Sequence, residues 1–238
     1  MPCFENEEAL HEIDDAVRDA FVSSCCLSID GNSWDRATLP PKSGGIGLRS
    51  AADIALPQFL ASVCATRSVS EILCHDAPDL AFERARTLWQ NQSGLELPPD
   101  TASSPLAWSE PLLGVKLDRV KSNMGSSAEI ARLLSASTPE SASLWTAVPS
   151  ARQGTRLMDS VFTVAAGLRL GLPVASAGVC RCGHTLDRLG EHALVCKRGT
   201  ARGARHRGKR AYPGRLVRGR RHFHSRTAWT RADRWQAT

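Results

Sequence analysis

The sequence has few aromatic residues and no long apolar run. Aromatic residues make up 5% of its 238 residues, with a single tyrosine. Because about 18 consecutive apolar residues are needed to cross a bilayer, no transmembrane span and no membrane partner are expected. Hydrophobic residues nevertheless reach 42%. They can build the core of one sizeable domain or two small ones, and that core must rely on Leu, Ala and Val.

The N-terminus also lacks the basic and then apolar pattern of a secretory signal. It reads Met1-Pro2-Cys3-Phe4-Glu5-Asn6-Glu7-Glu8, which is acidic. We therefore predict an intracellular protein of the nucleus or cytoplasm that is not secreted. The eight cysteines are then expected to be thiols or metal ligands and not a disulfide framework.

Acidic residues are almost missing from the end of the chain. From Lys197 to Thr238 there are 14 Lys and Arg residues, 12 of them Arg, against one acid, Asp233. The net charge of that stretch is +13, and the first 196 residues, with 16 bases and 23 acids, carry −7. The overall charge of +6 therefore comes entirely from the tail.

Apolar residues at helical spacing dominate the first 196 residues, and strand signals are few. The predicted fold class is mainly α: an irregular multi-helix body with a small zinc knuckle and a disordered basic C-terminal tail. The predicted helices cover residues 5–26, ended by Gly31-Asn32, a segment from Ser50 that Pro57 kinks or breaks, and residues 81–90, 112–120, 127–135, 141–148 and 157–170.

Two short motifs invite a catalytic interpretation, and we favour a structural one for both. Ile13-Asp14-Asp15 is similar to a polymerase metal pair, but it lies within a helical pattern, so we predict a solvated acidic helix face. The run Gly44-Gly45-Ile46-Gly47 lacks the Gly-Lys-Ser/Thr ending of a phosphate loop, so we predict a turn-rich connector.

The strongest chemical signal is Cys180-x-Cys182 followed by His192-x3-Cys196. A thiolate pair on a turn, with Gly183 supplying an unusual backbone conformation, is typical of one half of a tetrahedral zinc site. A helix would place His192 and Cys196 one turn apart on the same face. Four protein ligands make such a site structural and closed, so we predict bound Zn²⁺ without catalysis.

Alternatives to this assignment remain open at the level of sequence. His184 could replace His192, although it lies close to Cys182 along the chain. Cysteines are also often simply buried, and we expect this of Cys25-Cys26 and Cys64.

Four stretches occur in an order that resembles one protein family. They are Leu39-Pro40 with Gly44-Gly45-Ile46-Gly47-Leu48-Arg49-Ser50-Ala51, then Ile54-Ala55-Leu56-Pro57-Gln58-Phe59-Leu60-Ala61-Ser62, then Ala147-Val148-Pro149-Ser150 with Gly154-Thr155 and Arg169-Leu170-Gly171-Leu172-Pro173, then the Cys/His motif. This resembles the region after the polymerase core in reverse transcriptases of non-LTR retrotransposons that carry a restriction-like endonuclease. It covers roughly residues 33 to 196.

The resemblance implies a Cys-Cys-His-Cys knuckle at Cys180, Cys182, His192 and Cys196 that contacts RNA or DNA. No Tyr/Phe-x-Asp-Asp motif occurs, and residues 198–238 lack the apolar pattern of a nuclease core. We therefore predict a non-catalytic fragment, not an enzyme, without a small-molecule substrate. The missing polymerase domain of the parent element is a further expected partner.

The corresponding division of the chain has five parts. Residues 1–92 form a helical segment resembling the reverse transcriptase thumb and linker, 93–105 a Pro/Ser-rich linker, and 106–178 a helical linker region. Residues 179–197 form the knuckle, and 198–238 an Arg-rich disordered tail.

The tail has two interpretations. It can bind nucleic-acid phosphates by releasing counterions, or it can be the product of a shifted reading frame. The residues predicted to bind nucleic acid are Lys197, Arg198, Arg202, Arg205, Arg207, Lys209 and Arg210. The competing functional class is a helical interaction or scaffold protein whose Cys/His cluster is only a structural zinc staple. A metal hydrolase is disfavoured because no open coordination position is evident.

Overall fold

The computed structural model describes residues 2–73, 80–99 and 102–198, and there it is mainly helical, which confirms the predicted class. The α-helices of this part are α1 (Glu7–Cys25), α2 (Gly31–Thr38), α3 (Ala51–Leu73), α4 (Leu80–Ser93), α5 (Pro105–Ser122), α6 (Ser127–Ala136), α7 (Pro139–Thr146), α8 (Asp159–Leu170) and α9 (Glu191–Val195). Two short strands, β1 (Gly178–Val179) and β2 (Thr185–Leu186), pair antiparallel. The tail after Arg198, predicted to be disordered, lies outside the described residues.

Most helices occur where the apolar spacing predicts them, but α2 was not expected. Gly31-Asn32 does not end the first helix; α1 ends at Cys25, where Cys26 adopts φ +51°. Gly31 instead begins α2, because the Asp30 carboxylate accepts a hydrogen bond from the Ser33 backbone N–H at 2.7 Å. The stretch Asp30-Gly31-Asn32, whose composition is typical of a turn, is thus the start of a helix, and the Asp30 side chain caps that helix.

Pro57 does not break α3, which continues from Ala51 to Leu73. The Pro57 side chain is fully buried, and so is that of Leu60 one turn later. Packing of this apolar face stabilises the helix despite the hydrogen bond that a proline removes. The face is covered within the chain itself, since α5, α4 and α1 all pack against α3.

The largest hydrophobic cluster contains residues from both sides of the proline-rich segment 93–105. Trp89 of α4 and Trp108 of α5 meet edge to face, with ring centroids 5.5 Å apart. The Trp89 indole N–H donates to the Trp108 carbonyl at 2.7 Å, and the Trp108 indole N–H donates to the Ala102 carbonyl at 2.7 Å. Both buried rings therefore have their polar atoms satisfied.

A second hydrophobic cluster joins α1, α2 and α8. Arg169 of α8 binds the glycine-rich connector beside this cluster. The guanidinium donates to the carbonyls of Gly45 at 2.7 Å and Pro41 at 2.8 Å, and it lies over the Trp145 ring. Burial lowers the pKa of Arg169. At Gly45 a Cβ would lie 2.0 Å from the Leu39 carbonyl oxygen, so this glycine allows close backbone packing.

Asp14 is buried, so the prediction of a solvated acidic face is wrong at this residue. Its carboxylate accepts hydrogen bonds from the Ser50 hydroxyl at 2.6 Å and from the Ala51 backbone N–H at 2.5 Å. The Ser50 hydroxyl in turn accepts from the Asp53 N–H at 3.1 Å, as expected of a helix cap. Asp14 thus binds the positive end of α3, whereas its neighbour Asp15 remains exposed and pairs with Arg18 at 2.8 Å.

We predict that Asp14→Ala lowers the free energy of unfolding by about 2 kcal/mol, because two backbone or hydroxyl donors at the start of α3 lose a charged acceptor. Asp15→Ala, one residue away on the same helix, is the matched control and should cost less than about 0.5 kcal/mol. Urea denaturation followed by circular dichroism measures both. Equal losses in the two variants would contradict the assignment.

The Asp30 cap of α2 predicts that the free energy of unfolding depends on pH. Hydrogen bonds from the Ser33 side chain and backbone lower the pKa of Asp30. Because the folded pKa lies below the unfolded value of about 3.9, the stabilisation is present above that pH and is lost as the pH falls through the folded pKa. Asp30→Ala should cost about 1 kcal/mol at neutral pH, and the difference from the wild type should vanish in acid. A pH-independent difference in urea denaturation would refute this.

Candidate metal centre

The first two cysteines of the motif lie on the turn that connects β1 and β2. The Gly183 N–H donates to the Cys180 carbonyl at 2.8 Å, and the Cys180 N–H donates to the His184 carbonyl at 2.8 Å. Gly183 has φ +87°, a conformation that residues with a side chain rarely adopt. This turn directs the side chains of Cys180 and Cys182 to the same side of the hairpin, as the sequence predicts for a thiolate pair.

The other two residues come from α9. The Asp187 carboxylate accepts hydrogen bonds from the backbone N–H groups of Glu191 at 2.8 Å and His192 at 2.7 Å, and so caps this short helix. Burial opposes ionisation of Asp187, but these N–H groups outweigh it and lower its pKa. The Cys196 N–H donates to the His192 carbonyl at 2.8 Å, which places both side chains toward the hairpin.

The four predicted ligands meet at one point. One ligand atom from each of Cys180, Cys182, His192 and Cys196 lies within 4.8 Å of all the others, so the group could hold a metal ion. The Sγ atoms of Cys180 and Cys196 are 3.7 Å apart, and Cys182 Sγ is 3.2 Å from His192 Nε2. A tetrahedral zinc ion with Zn–S bonds of about 2.3 Å separates its sulfur ligands by about 3.8 Å, so the thiol pair fits this ion.

His184 is not part of this group. Its exposed ring stacks on that of His192, with centroids 5.6 Å apart and planes 16° apart. Its Nδ1 lies 3.5 Å from Cys182 Sγ. The structure therefore places the two histidines that the sequence left as alternatives in different positions, with His192 inside the cluster and His184 beside it.

The knuckle is attached to the helical body. From here on it denotes residues 178–198, one residue longer at each end than predicted, because β1 begins at Gly178 and the described residues end at Arg198. The Arg188 carbonyl accepts hydrogen bonds from the N–H groups of Val174 at 2.8 Å and Ala175 at 3.1 Å. A Cβ on Gly167 of α8 would lie 2.2 Å from the Val174 side chain, so only glycine leaves room for this contact. Glycine in mid-helix is a signal for close packing, but the sequence does not name the partner.

An ion pair makes a second attachment. Arg132 of α6 lies 2.5 Å from Glu191, the first residue of α9, and its side chain is mostly buried. The same guanidinium lies against Gly171, at the C-terminus of α8, where a cation is favourable. No local sequence pattern indicates this pair, since the two residues lie 59 positions apart.

Only part of the predicted nucleic-acid-binding set is within the described residues. Lys197 and Arg198 are exposed beside the cluster, and the Arg198 guanidinium donates to the Arg181 carbonyl at 2.7 Å. Five further predicted residues lie outside the described part: Arg202, Arg205, Arg207, Lys209 and Arg210.

Cysteines elsewhere in the described chain do not join the cluster. Cys25 and Cys64 are buried as predicted, and burial together with the neighbouring Cys26 raises the pKa of Cys25. Cys26 is exposed, so its prediction as a packed hydrophobe is wrong; its left-handed backbone at the end of α1 turns the side chain outward.

No helix in the described residues is long and apolar enough to span a membrane. Comparison of the chain with protein-family models, with curated proteins and with solved structures finds no match.

We predict that the reduced protein binds one zinc ion per chain and that Cys196→Ser strongly weakens binding, because a serine hydroxyl is a much poorer zinc ligand than a thiolate and the small knuckle depends on all four ligands to fold. Cys64→Ser is the matched control: it also replaces a buried cysteine, but one outside the cluster, and should keep full stoichiometry. Elemental analysis after gel filtration measures the ratio of zinc to protein. A zinc-to-protein ratio near zero for the wild type would contradict the assignment of a zinc site.

Proposed function

We propose that this chain binds nucleic acid through a knuckle that a structural zinc ion stabilises, together with its basic C-terminal segment, and that it performs no catalysis. The observation that carries the proposal is the convergence of Cys180, Cys182, His192 and Cys196 on a hairpin and helix with basic surroundings. Four protein ligands fill a tetrahedral zinc site, so no position remains for a catalytic water.

The charge of the knuckle supports an anionic partner. Four basic residues are exposed there: Arg181, Arg188, Lys197 and Arg198. The two acids of the same segment make other contacts: Asp187 caps α9, and Glu191 pairs with Arg132. The chain then continues into a tail with 12 more Lys and Arg residues. Such a surface attracts phosphates and releases condensed counterions.

Exposed apolar side chains next to these bases support contact with nucleobases. Val179 on β1 is 78% exposed and Val195 on α9 is 66% exposed. Apolar side chains of this kind can contact base edges such as the thymine methyl group.

The resemblance to the region that follows the polymerase in non-LTR retrotransposon reverse transcriptases leads to the same proposal. Under that resemblance the parent protein is an RNA-directed DNA polymerase, and this chain contributes its non-catalytic C-terminal part. A missing polymerase domain is then a second partner. The exposed Leu144, Val148 and Met158 around α7 and α8 are apolar surface of the kind that a protein partner covers.

The alternative is a helical scaffold in which the metal only holds the hairpin and α9 of the knuckle together. Two observations favour it: the ion pair between the mostly buried Arg132 and the exposed Glu191, and the close packing of Val174 on Gly167. Both hold the knuckle in place whether or not it binds anything else.

Salt-dependent binding of the zinc-loaded full chain to labelled single-stranded RNA, measured by fluorescence anisotropy, separates these functions. Replacing both Arg181 and Arg188 by Gln should weaken binding and lower the slope of log K against log salt by about 1.4, if each contacts a phosphate of the single strand. Replacing Arg152 and Arg156 by Gln is the charge-matched control outside the knuckle, and it should leave the slope unchanged.

The same titration with the Cys180→Ser variant tests the role of the metal. We expect reduced affinity, since loss of one ligand unfolds the knuckle. If both the double Gln variant and Cys180→Ser bind as the wild type does, the knuckle is not the nucleic-acid site and the scaffold function is favoured. Parallel titrations with double-stranded DNA compare the two kinds of nucleic acid.

A further inference from the structure

We propose that His184 is a fifth functional member of the metal centre: it is not a ligand, but its Nδ1–H donates a hydrogen bond to the Cys182 thiolate and slows release of the metal. This inference rests on the metal binding proposed above. It assigns a role to a histidine that the four-ligand motif leaves unused.

The distances around Cys182 Sγ distinguish the two histidines. His192 Nε2 lies 3.2 Å from this sulfur and belongs to the cluster in which all four ligand atoms lie within 4.8 Å of one another. His184 Nδ1 lies 3.5 Å from the same sulfur and outside that cluster. A nitrogen at this distance suits an N–H···S hydrogen bond.

The backbone fixes His184 in this position. Its carbonyl accepts the Cys180 N–H at 2.8 Å, which closes the same turn that positions the two cysteines. Its ring is held parallel to that of His192. The hydrogen bond therefore requires little further loss of side-chain freedom.

The chemistry of the site explains why such a donor is useful. Three thiolates and one neutral imidazole leave a net charge of −1 around a divalent zinc ion. A hydrogen bond to one thiolate draws electron density from the sulfur and stabilises its charge. Cys182 is partly exposed, and its sulfur lies within reach of such a donor. Donors of this kind outside the ligand set commonly change metal affinity by about 10- to 100-fold.

Transfer of zinc from the loaded full chain to an excess of a chromophoric chelator tests the proposal. His184→Ala should accelerate transfer about 10-fold. His184→Gln keeps an amide donor and should restore most of the wild-type rate. His184→Phe keeps the stacking ring without the donor and should behave like the Ala variant. Thr185→Ala, at the exposed neighbouring residue, is the matched control and should match the wild type.

Cobalt substitution shows whether His184 is a ligand. The visible spectrum of Co²⁺-loaded His184→Ala should keep the intensity of four-coordinate Co²⁺ with three thiolates, whereas His192→Ala should lose it. The reverse pattern would make His184 the ligand and overturn the proposal. An unchanged zinc transfer rate in His184→Ala, or a wild-type rate in His184→Phe, would also overturn it. Failure of the wild type to bind zinc would instead refute the metal centre itself.

Discussion

The convergence of four side chains at one point is the constraint on which the C-terminal part of this structure depends. A hairpin with two-residue strands and a five-residue helix cannot fold alone, because neither contains enough apolar surface to offset the entropy of ordering the chain. Their sulfur and nitrogen atoms must therefore be held together by something stronger than packing. The residues around the four side chains position them so that a metal ion could supply that interaction.

In the helical body a comparable role falls to two charged side chains that bind backbone groups, the buried Asp14 and the partly buried Arg169. Asp14 accepts from the start of α3, and Arg169 donates to two carbonyls of the connector that precedes α3. Neither forms an ion pair with a side chain of opposite charge within the described residues. Asp14 gives the N–H groups at the start of α3 a hydrogen-bond partner, and Arg169 does the same for the carbonyl groups of the connector. Without these partners such backbone groups would be costly to bury. Together they define the path of the chain between α1 and α8.

The sequence predicts the helices and the four ligand residues because both are local patterns. Apolar spacing locates α1, α4, α6 and α8 to within a few residues, and the C-x-C and H-x3-C spacings identify the ligands of the cluster. Three further features share a cause. The burial of Asp14, the continuity of α3 through Pro57 and the Arg132–Glu191 pair all depend on partners far away in sequence, which no local pattern reveals. The retrotransposon resemblance and the five-part domain division remain predictions.

The packing of Val174 into the space left by Gly167 has a consequence for recognition. The N–H groups of Val174 and Ala175 also donate to the Arg188 carbonyl, so the segment that joins the knuckle to α8 contacts both of them and is not a free tether. A partner bound at the knuckle would therefore lose less orientational entropy than one bound to a domain on a flexible linker. The missing Cβ of Gly167, in the last turn of α8, thus limits how freely the knuckle can turn relative to the helical body.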